Sequence, residues 1–342
     1  MNDYSELVHP QVLARIGSIG TTQFDGYGID EFSEIAKTLI KEKIRKPDAD
    51  VHLVSGGTQA NLTVLSSVLR PYEAVISCET SHIFVHETGA IEATGHKICT
   101  AKGIDGKLTV EEIDKVVKFH TDEHMVKPKV VFVSLSTEVG SVYTKEELTK
   151  ISNYCDENAL YLYLDGARLG AGINSPACDL TYSDIARLTD AFYIGGTKNG
   201  MLFGEAIVIC NKRLKEDFRY HMKQKGGLLS KGASLGVQFI AMFEEKNEAG
   251  EDLYDQLAKR AYFLAMKLAK GIKGLGYGFF SEPETNQIFP IFPVDVSEKL
   301  HHLYGFYDWT EVGEKAVVVR LVTSWATPEE RIDEFLEDLK KL

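Results

Sequence analysis

From residue 26 to about residue 235 the chain alternates between two spacings of apolar positions. In IDEFSEIAKTLIKEKI, Phe32, Ile35, Ala36, Leu39 and Ile40 recur every three or four residues, which predicts a helix with Asp30 as its N-cap. AVIS, KVVFVSL, LYLYL, DAFYI and EAIVIC are short apolar runs rich in Val, Ile, Tyr and Phe, which predict strands covered on both faces. DVHLVSGGTQANLTVLSSVLR reads as strand, glycine turn and helix. Between KVVFVSL and LYLYL lies TKEELTKISNYCDEN, where Thr144 and Glu147 make a capping box and Leu148, Ile151 and Cys155 follow at helical spacing. Strands and helices alternating over short connections predict an α/β fold: a mostly parallel sheet covered by helices, with ligands at the carboxyl ends of the strands.

The pattern changes after about residue 235. A long helical stretch, EDLYDQLAKRAYFLAMKLAKGIKGLG, ends in glycines, and IFPIFPV and KAVVVRLVTSWAT are two strand candidates. TPEERIDEFLEDL predicts a last helix with Thr327 as cap, Pro328 at its first position and Glu330 closing the box. The expected organisation is an N-terminal segment over 1–25, a large domain over 26–235 and a smaller C-terminal α+β domain over 236–342.

Composition narrows the function. The 342 residues are 44% apolar and 26% charged, as in an ordinary globular protein, and the formal net charge is −12. That excess of acid argues against nucleic acid and anionic membrane surfaces as partners. The five cysteines (Cys78, Cys99, Cys155, Cys178 and Cys210) are odd in number and form no C-x-x-C pair, which suits free thiols in a reducing compartment. MNDYSELVHP lacks the apolar run of a secretory signal, and no run reaches a membrane span, so the expected location is the cytoplasm.

Four stretches at predicted strand ends carry the candidate chemistry. SGGTQAN, 55–61, joins a strand to a helix; its glycines and the unpaired N–H groups of the helix start suit a phosphate, with the Thr58 hydroxyl as a further donor, or it is a well-capped turn. It is neither G-x-G-x-x-G nor a Walker A loop. ETSHIFVHETGAI places His82 and His86 four residues apart; a metal pair lacks a third ligand there, and an imidazole can also stack on a flat ligand or be an ordinary polar side chain. YLYLDGARLG brings Asp165 and Arg168 to a strand end, as an internal ion pair or as functional groups. YIGGTKNGMLFGEAIVI sets Lys198 between two buried strands among Gly195, Gly196 and Gly200, where desolvation lowers the pKa of an amine and makes it nucleophilic. A phosphate cradle, a stacking ring, a buried carboxylate and a desolvated lysine are what pyridoxal 5′-phosphate requires: a lysine for its aldehyde, a helix N-terminus for its phosphate and an anion for its ring nitrogen.

On these motifs the chain resembles the threonine aldolase and β-eliminating lyase family of pyridoxal-phosphate enzymes, whose fold is of the aspartate aminotransferase type. YGID at 27–30, SGGTQAN, HIFVHETGA, DGAR at 165–168, GGTKNG at 195–200 and VRLVTSWAT match family motifs over nearly the whole chain. The resemblance implies that Lys198 binds the cofactor aldehyde, Asp165 holds the ring nitrogen, His82 stacks on the ring, and Gly57 and Thr58 hold the phosphate. It implies that Arg168 and Arg320 grip the substrate carboxylate, and that the protein is a homodimer or homotetramer in which Tyr27 and the lysines of KQKGGLLSKG reach a neighbour's site. No metal is implied.

Two departures bear on chemistry. Where the family opens with Arg-Ser-Asp this chain has NDYS, which makes Asn2 or Ser5 the expected substitutes for the serine. Where the family has Thr-His after the strand at VFVSL, this chain has STEVGS, which puts Glu138 in the place of the histidine as the base for the β-hydroxyl proton, assisted by His82 or His86. The expected reaction is retro-aldol cleavage of L-threonine or L-allo-threonine to glycine and acetaldehyde. The alternatives are β-elimination or transamination with the same cofactor, and a non-catalytic cofactor-binding homologue.

Overall fold

The computed structural model describes residues 2–342. Seven strands, β1 (Asp50–Val54), β2 (Glu73–Cys78), β3 (Lys97–Ala101), β4 (Lys127–Ser134), β5 (Tyr161–Asp165), β6 (Ala191–Gly195) and β7 (Glu205–Ile209), form one sheet in the order β1-β7-β6-β5-β4-β2-β3. β7 is antiparallel to both its neighbours and every other pairing is parallel.

Alternate residues of each strand enter different cores, which is why these runs are apolar throughout. Val131, Val133, Leu162, Leu164, Phe192 and Ile194 pack on one face against the helices Glu31–Lys43, Lys145–Glu157 and Ala233–Phe243. Val130, Phe132, Tyr163, Ala191 and Tyr193 pack on the other against Gly57–Val68 and Phe218–Gln224. The capping box of Lys145–Glu157 is present, with Thr144 Oγ1 accepting from Glu147 N. Asp30 caps Glu31–Lys43 as expected.

The 22-residue helix Leu253–Gly274 is about 33 Å long. Its start (Leu253, Tyr254, Leu257) is buried in the core of the large sheet. From Leu264 onward it lies in a separate core with Ile288, Phe292, Leu321 and the final helix. This second core is covered by an antiparallel sheet of β8 (Gln287–Ile288), β9 (Ile291–Pro293), β10 (Tyr307–Val312) and β11 (Ala316–Val322). The run IFPIFPV is divided between two short strands at Pro290, which has no N–H to give a ladder. The last helix is Glu329–Lys341, one residue later than predicted; Thr327 does not cap it, because its hydroxyl accepts from Ser324 N at 2.8 Å. Among the described residues no helix is long and apolar enough to cross a membrane.

Candidate active site

Six strands of the large sheet point their carboxyl ends one way, and the segments leaving those ends converge on a cleft of about 660 Å³. Its lining combines His82 and His86 after β2, Glu138 after β4, Arg168 after β5 and Lys198 after β6 with Tyr307, Trp309 and Arg320 of the second sheet and Tyr4 of the N-terminal segment. The cleft therefore lies between the two sheets, and six of the residues singled out in the sequence, His82, His86, Glu138, Arg168, Lys198 and Arg320, meet in it.

Asp165 is the last residue of β5 and is 4% exposed. Its Oδ1 accepts from Ala167 N at 2.9 Å and from the Tyr193 hydroxyl at 2.5 Å, and its Oδ2 accepts from Asn61 Nδ2 at 3.0 Å. Three donors on one buried carboxylate compensate its desolvation and fix its direction. The other hydrogen of Asn61 Nδ2 goes to Glu87 Oε1 at 2.8 Å, and Glu87 Oε1 also accepts from His82 Nδ1 at 2.8 Å. Tyr163 completes the network by donating to Asn61 Oδ1 at 3.0 Å. His82 and Asp165 are thus joined through Glu87 and Asn61.

Burial disfavours charge on the His82 ring, but the hydrogen bond to Glu87 and the carboxylates of Glu138 and Asp165 outweigh it and raise its pKa. His86, without such a partner, is lowered by burial. The two rings lie 5.6 Å apart on and just beyond a single helical turn, His82–Val85, and His86 meets Trp309 across the cleft at 6.1 Å. Among the described residues no group of three or more His, Cys, Asp or Glu side chains is placed to hold a metal ion.

Lys198 sits in the short turn Thr197–Asn199 after β6. Burial, and then the nearby Arg168 guanidinium, push its pKa down, against the pull of Asp3, Glu138 and Asp165. Arg168 is not free: Nε donates to Asp3 Oδ2 at 2.7 Å and Nη2 to Asp3 Oδ1 at 2.9 Å, in a buried pair. Arg320 donates from Nε and Nη2 to Gln287 Oε1 at 3.2 and 2.6 Å; burial and Arg168 lower its pKa. Glu138 lines the cleft and makes no hydrogen bond or ion pair to a described residue.

The other expected residues lie elsewhere. Gly57 opens the 12-residue helix Gly57–Val68, Thr58 is exposed beside it, and no side chain caps that helix. Asn2 and Ser5 are not in the cleft lining: Asn2 Oδ1 accepts from the Ser5 hydroxyl at 2.9 Å and from Tyr4 N at 3.0 Å, and this turn delivers Asp3 and Tyr4 to the arginines instead. Tyr27 lies outside the cleft, 45% exposed, with Lys223 Nζ 4.7 Å from its ring centroid.

Pyridoxal phosphate can be tested against these residues. The uncapped helix start offers N–H groups to a phosphate, and a Cβ on Gly57 would stand 2.9 Å from the Tyr193 hydroxyl, so only glycine leaves that wall intact. The amine of Lys198 has no hydrogen-bond partner among the described residues, and a triply anchored carboxylate lies one strand away. These residues fit the group. Asn61, Glu87, Tyr193 and Asp3 were not predicted; Asn61 and Glu87 stand inside quoted motifs, but their partners are remote in sequence.

Residues 28–292 match the family model for beta-eliminating lyases. A low-specificity L-threonine aldolase from a Pseudomonas species is 35% identical over 321 residues, covering 92% of this chain and 89% of that protein. Its counterpart from Pseudomonas aeruginosa is 32% identical over 333 residues, covering 97% and 94%. A solved structure of Leishmania major threonine aldolase superposes with a TM-score of 0.96 at 45% identity, covering 100% of this chain and 98% of the other. Aspartate aminotransferase from Thermus thermophilus shares the fold, with a TM-score of 0.74 at 14% identity and coverage of 100% and 90%.

Proposed function

The chain belongs to the beta-eliminating lyase family and is a pyridoxal-phosphate-dependent lyase, and from that premise we propose that it cleaves L-threonine or L-allo-threonine between Cα and Cβ, giving glycine and acetaldehyde. The observation that carries this is the placement of Lys198 and Asp165 at the carboxyl ends of adjacent strands beside one cleft, the amine with its pKa depressed and the carboxylate anchored by three donors.

When bound, pyridoxal phosphate supplies an aldehyde for the amine and a ring that takes up the electron pair released at Cα. The residues divide the remaining work. Lys198 binds the aldehyde, because its depressed pKa keeps the amine unprotonated more of the time. Asp165 would hold the ring nitrogen and favour a proton there, and His82, held by Glu87, would stack on the ring. Gly57 and Thr58 hold the phosphate. Arg320 and the edge of Arg168 not used by Asp3 bind the substrate carboxylate, which fixes which bond at Cα breaks. Glu138 takes the proton from the β-hydroxyl as Cα and Cβ part, and His82 or His86 assists. The exposed position of Tyr27, away from its own cleft and beside Lys223 and Arg219, supports a homodimer or homotetramer with sites at the subunit interface. Five cysteines, none in a disulfide, support a cytoplasmic location.

The test is to incubate the protein and its Lys198→Ala variant with pyridoxal phosphate and L-threonine. Acetaldehyde and glycine in equal amounts, lost in the variant, are expected. Ammonia and a keto acid instead would assign β-elimination, and no turnover of any β-hydroxy amino acid would leave a binding protein.

A further inference from the structure

Beneath the Lys198 turn lies a second buried acid that the mechanism above does not use. β7 is the one strand that runs against the rest of its sheet, so its first residue, Glu205, starts at the edge where the other strands end. Glu205 is 4% exposed and pairs in register with Gly195 on one side and Val54 on the other. Its Oε2 accepts from Gly196 N at 2.8 Å, and the Thr197 hydroxyl lies close enough to favour its charged form. That hydroxyl accepts from Gly204 N at 3.0 Å.

Backbone bonds hold the upstream side of the turn, Gly195 N donating to Gly166 O at 2.9 Å and Gly196 N to Gly204 O at 3.0 Å, but neither glycine can carry a side chain to brace it. A Cβ on Gly195 would stand 2.4 Å from Ala167 O, and one on Gly196 would stand 2.2 Å from Met201 Sδ. Downstream, Asn199 Nδ2 donates to Tyr254 O at 2.8 Å, and the Tyr254 hydroxyl donates to Gly195 O at 2.8 Å. Side chains thus grip the Lys198 turn at Gly195 O (Tyr254), at Gly196 N (Glu205, which shares that N–H with Gly204 O) and through Asn199.

We propose that Glu205 is a positioning residue for Lys198: by binding Gly196 N–H, two residues before the lysine, it fixes where the Lys198 amine meets the cofactor aldehyde. The proposal rests on the reading of Lys198 given above. In the step it serves, the amine nitrogen joins the aldehyde carbon and the carbonyl oxygen leaves as water with the two amine hydrogens. Burial pushes Glu205 up to about 8, against the Thr197 hydroxyl, Gly196 N–H and the attraction of Lys198, and Asp165 adds to the rise; Tyr163, Tyr193 and Tyr254 lie within range of its charge. A glutamine keeps a side-chain oxygen that can accept from Gly196 N–H, whereas a leucine keeps only the bulk.

The experiment adds pyridoxal phosphate to cofactor-free wild type, Glu205→Leu, Glu205→Gln and Lys198→Ala. It follows the absorbance of the lysine-bound cofactor and maps the borohydride-reduced adduct. Glu205→Leu is expected to link about 10- to 100-fold more slowly, the scale of a small misplacement of a reacting group. Glu205→Gln is expected to recover to within about threefold of wild type, both variants keeping their far-ultraviolet dichroism. Linkage at the wild-type rate in Glu205→Leu overturns the proposal, as does a folded Glu205→Gln that is as slow as the leucine variant. If Glu205→Leu does not fold, Glu205→Asp, whose shorter side chain cannot reach Gly196 N–H in the same place, carries the test: slower linkage supports the brace and the wild-type rate overturns it. A wild type that forms no adduct at Lys198 overturns the functional reading itself, which is a different result from a wild type and leucine variant that link equally fast.

Discussion

Asp3 holds Arg168 side-on, with Oδ2 2.7 Å from Nε and Oδ1 2.9 Å from Nη2, across 165 residues of chain. The pair is buried, so neither charge has water to fall back on. Removing one partner of such a pair costs about 3–5 kcal/mol, and Asp3→Ala is expected to lose that much stability in urea unfolding. Burial alone would raise the pKa of Asp3, but Arg168 outweighs it and draws the pKa from 3.8 down to about 2. The sign follows from linkage: the contribution is fully present above about pH 4, where an unfolded aspartate is ionised, and is lost as pH falls through about 2. Wild type should therefore lose about 2 kcal/mol more than Asp3→Ala over that interval. Parallel acid-stability curves would show that the pair does not form.

Glu138 stands in the cleft, where its charge acts on His82, Lys198 and Arg320 but no described side chain hydrogen-bonds it. If it takes the hydroxyl proton, Glu138→Gln should lower kcat on L-threonine by about 10²- to 10⁴-fold with little change in KM. Steady-state kinetics decide this, and a variant with full kcat would place the proton acceptor elsewhere.

Arg320 is anchored by Gln287 and faces the cleft with donors to spare. A hydrogen bond to a charged group contributes about 1.5–3 kcal/mol, so Arg320→Ala should weaken binding of amino acids, glycine included, by about 10- to 150-fold. Binding titrations with glycine measure the loss independently of bond cleavage.

The bond from His82 to Glu87 is the main favourable influence on the charged imidazole. Glu87→Gln should lower the His82 titration midpoint in an imidazole NMR experiment. An unchanged midpoint would mean that Glu138 and Asp165 set it instead.

Much of this arrangement can be read from local spacing. Lys145–Glu157 follows from Thr144, Glu147 and an apolar stripe, and β4 and β5 follow from runs whose alternate side chains feed two cores. The meeting of Lys198, Asp165, His82, Glu138 and Arg168 was reachable because each lies in a motif at or just past a strand's end; Arg320, inside β11, was reachable only through the family motif VRLVTSWAT. Two kinds of feature were not. β10 is exposed along most of its length, so YDWTEV lacks the apolar signature of a buried strand, yet it supplies Tyr307 and Trp309 to the cleft. Asp3 and Glu205 act through partners brought by the fold, and a hydrogen bond between distant residues leaves no periodic trace. Asn2 and Ser5 illustrate the same limit: one or two positions along a short turn decide which side chain reaches the arginine.

Lys198 and Asp165 stand on one sheet, whereas Tyr307, Trp309 and Arg320 stand on another with its own core. Reactive groups and the wall opposite them are therefore separate mechanical parts. An engineer could vary residues 307–310 on the exposed β10 ribbon to admit longer or bulkier side chains at the entrance, while the lysine and its companion acid keep their settings. Diversification of such a scaffold would be concentrated in that outer ribbon.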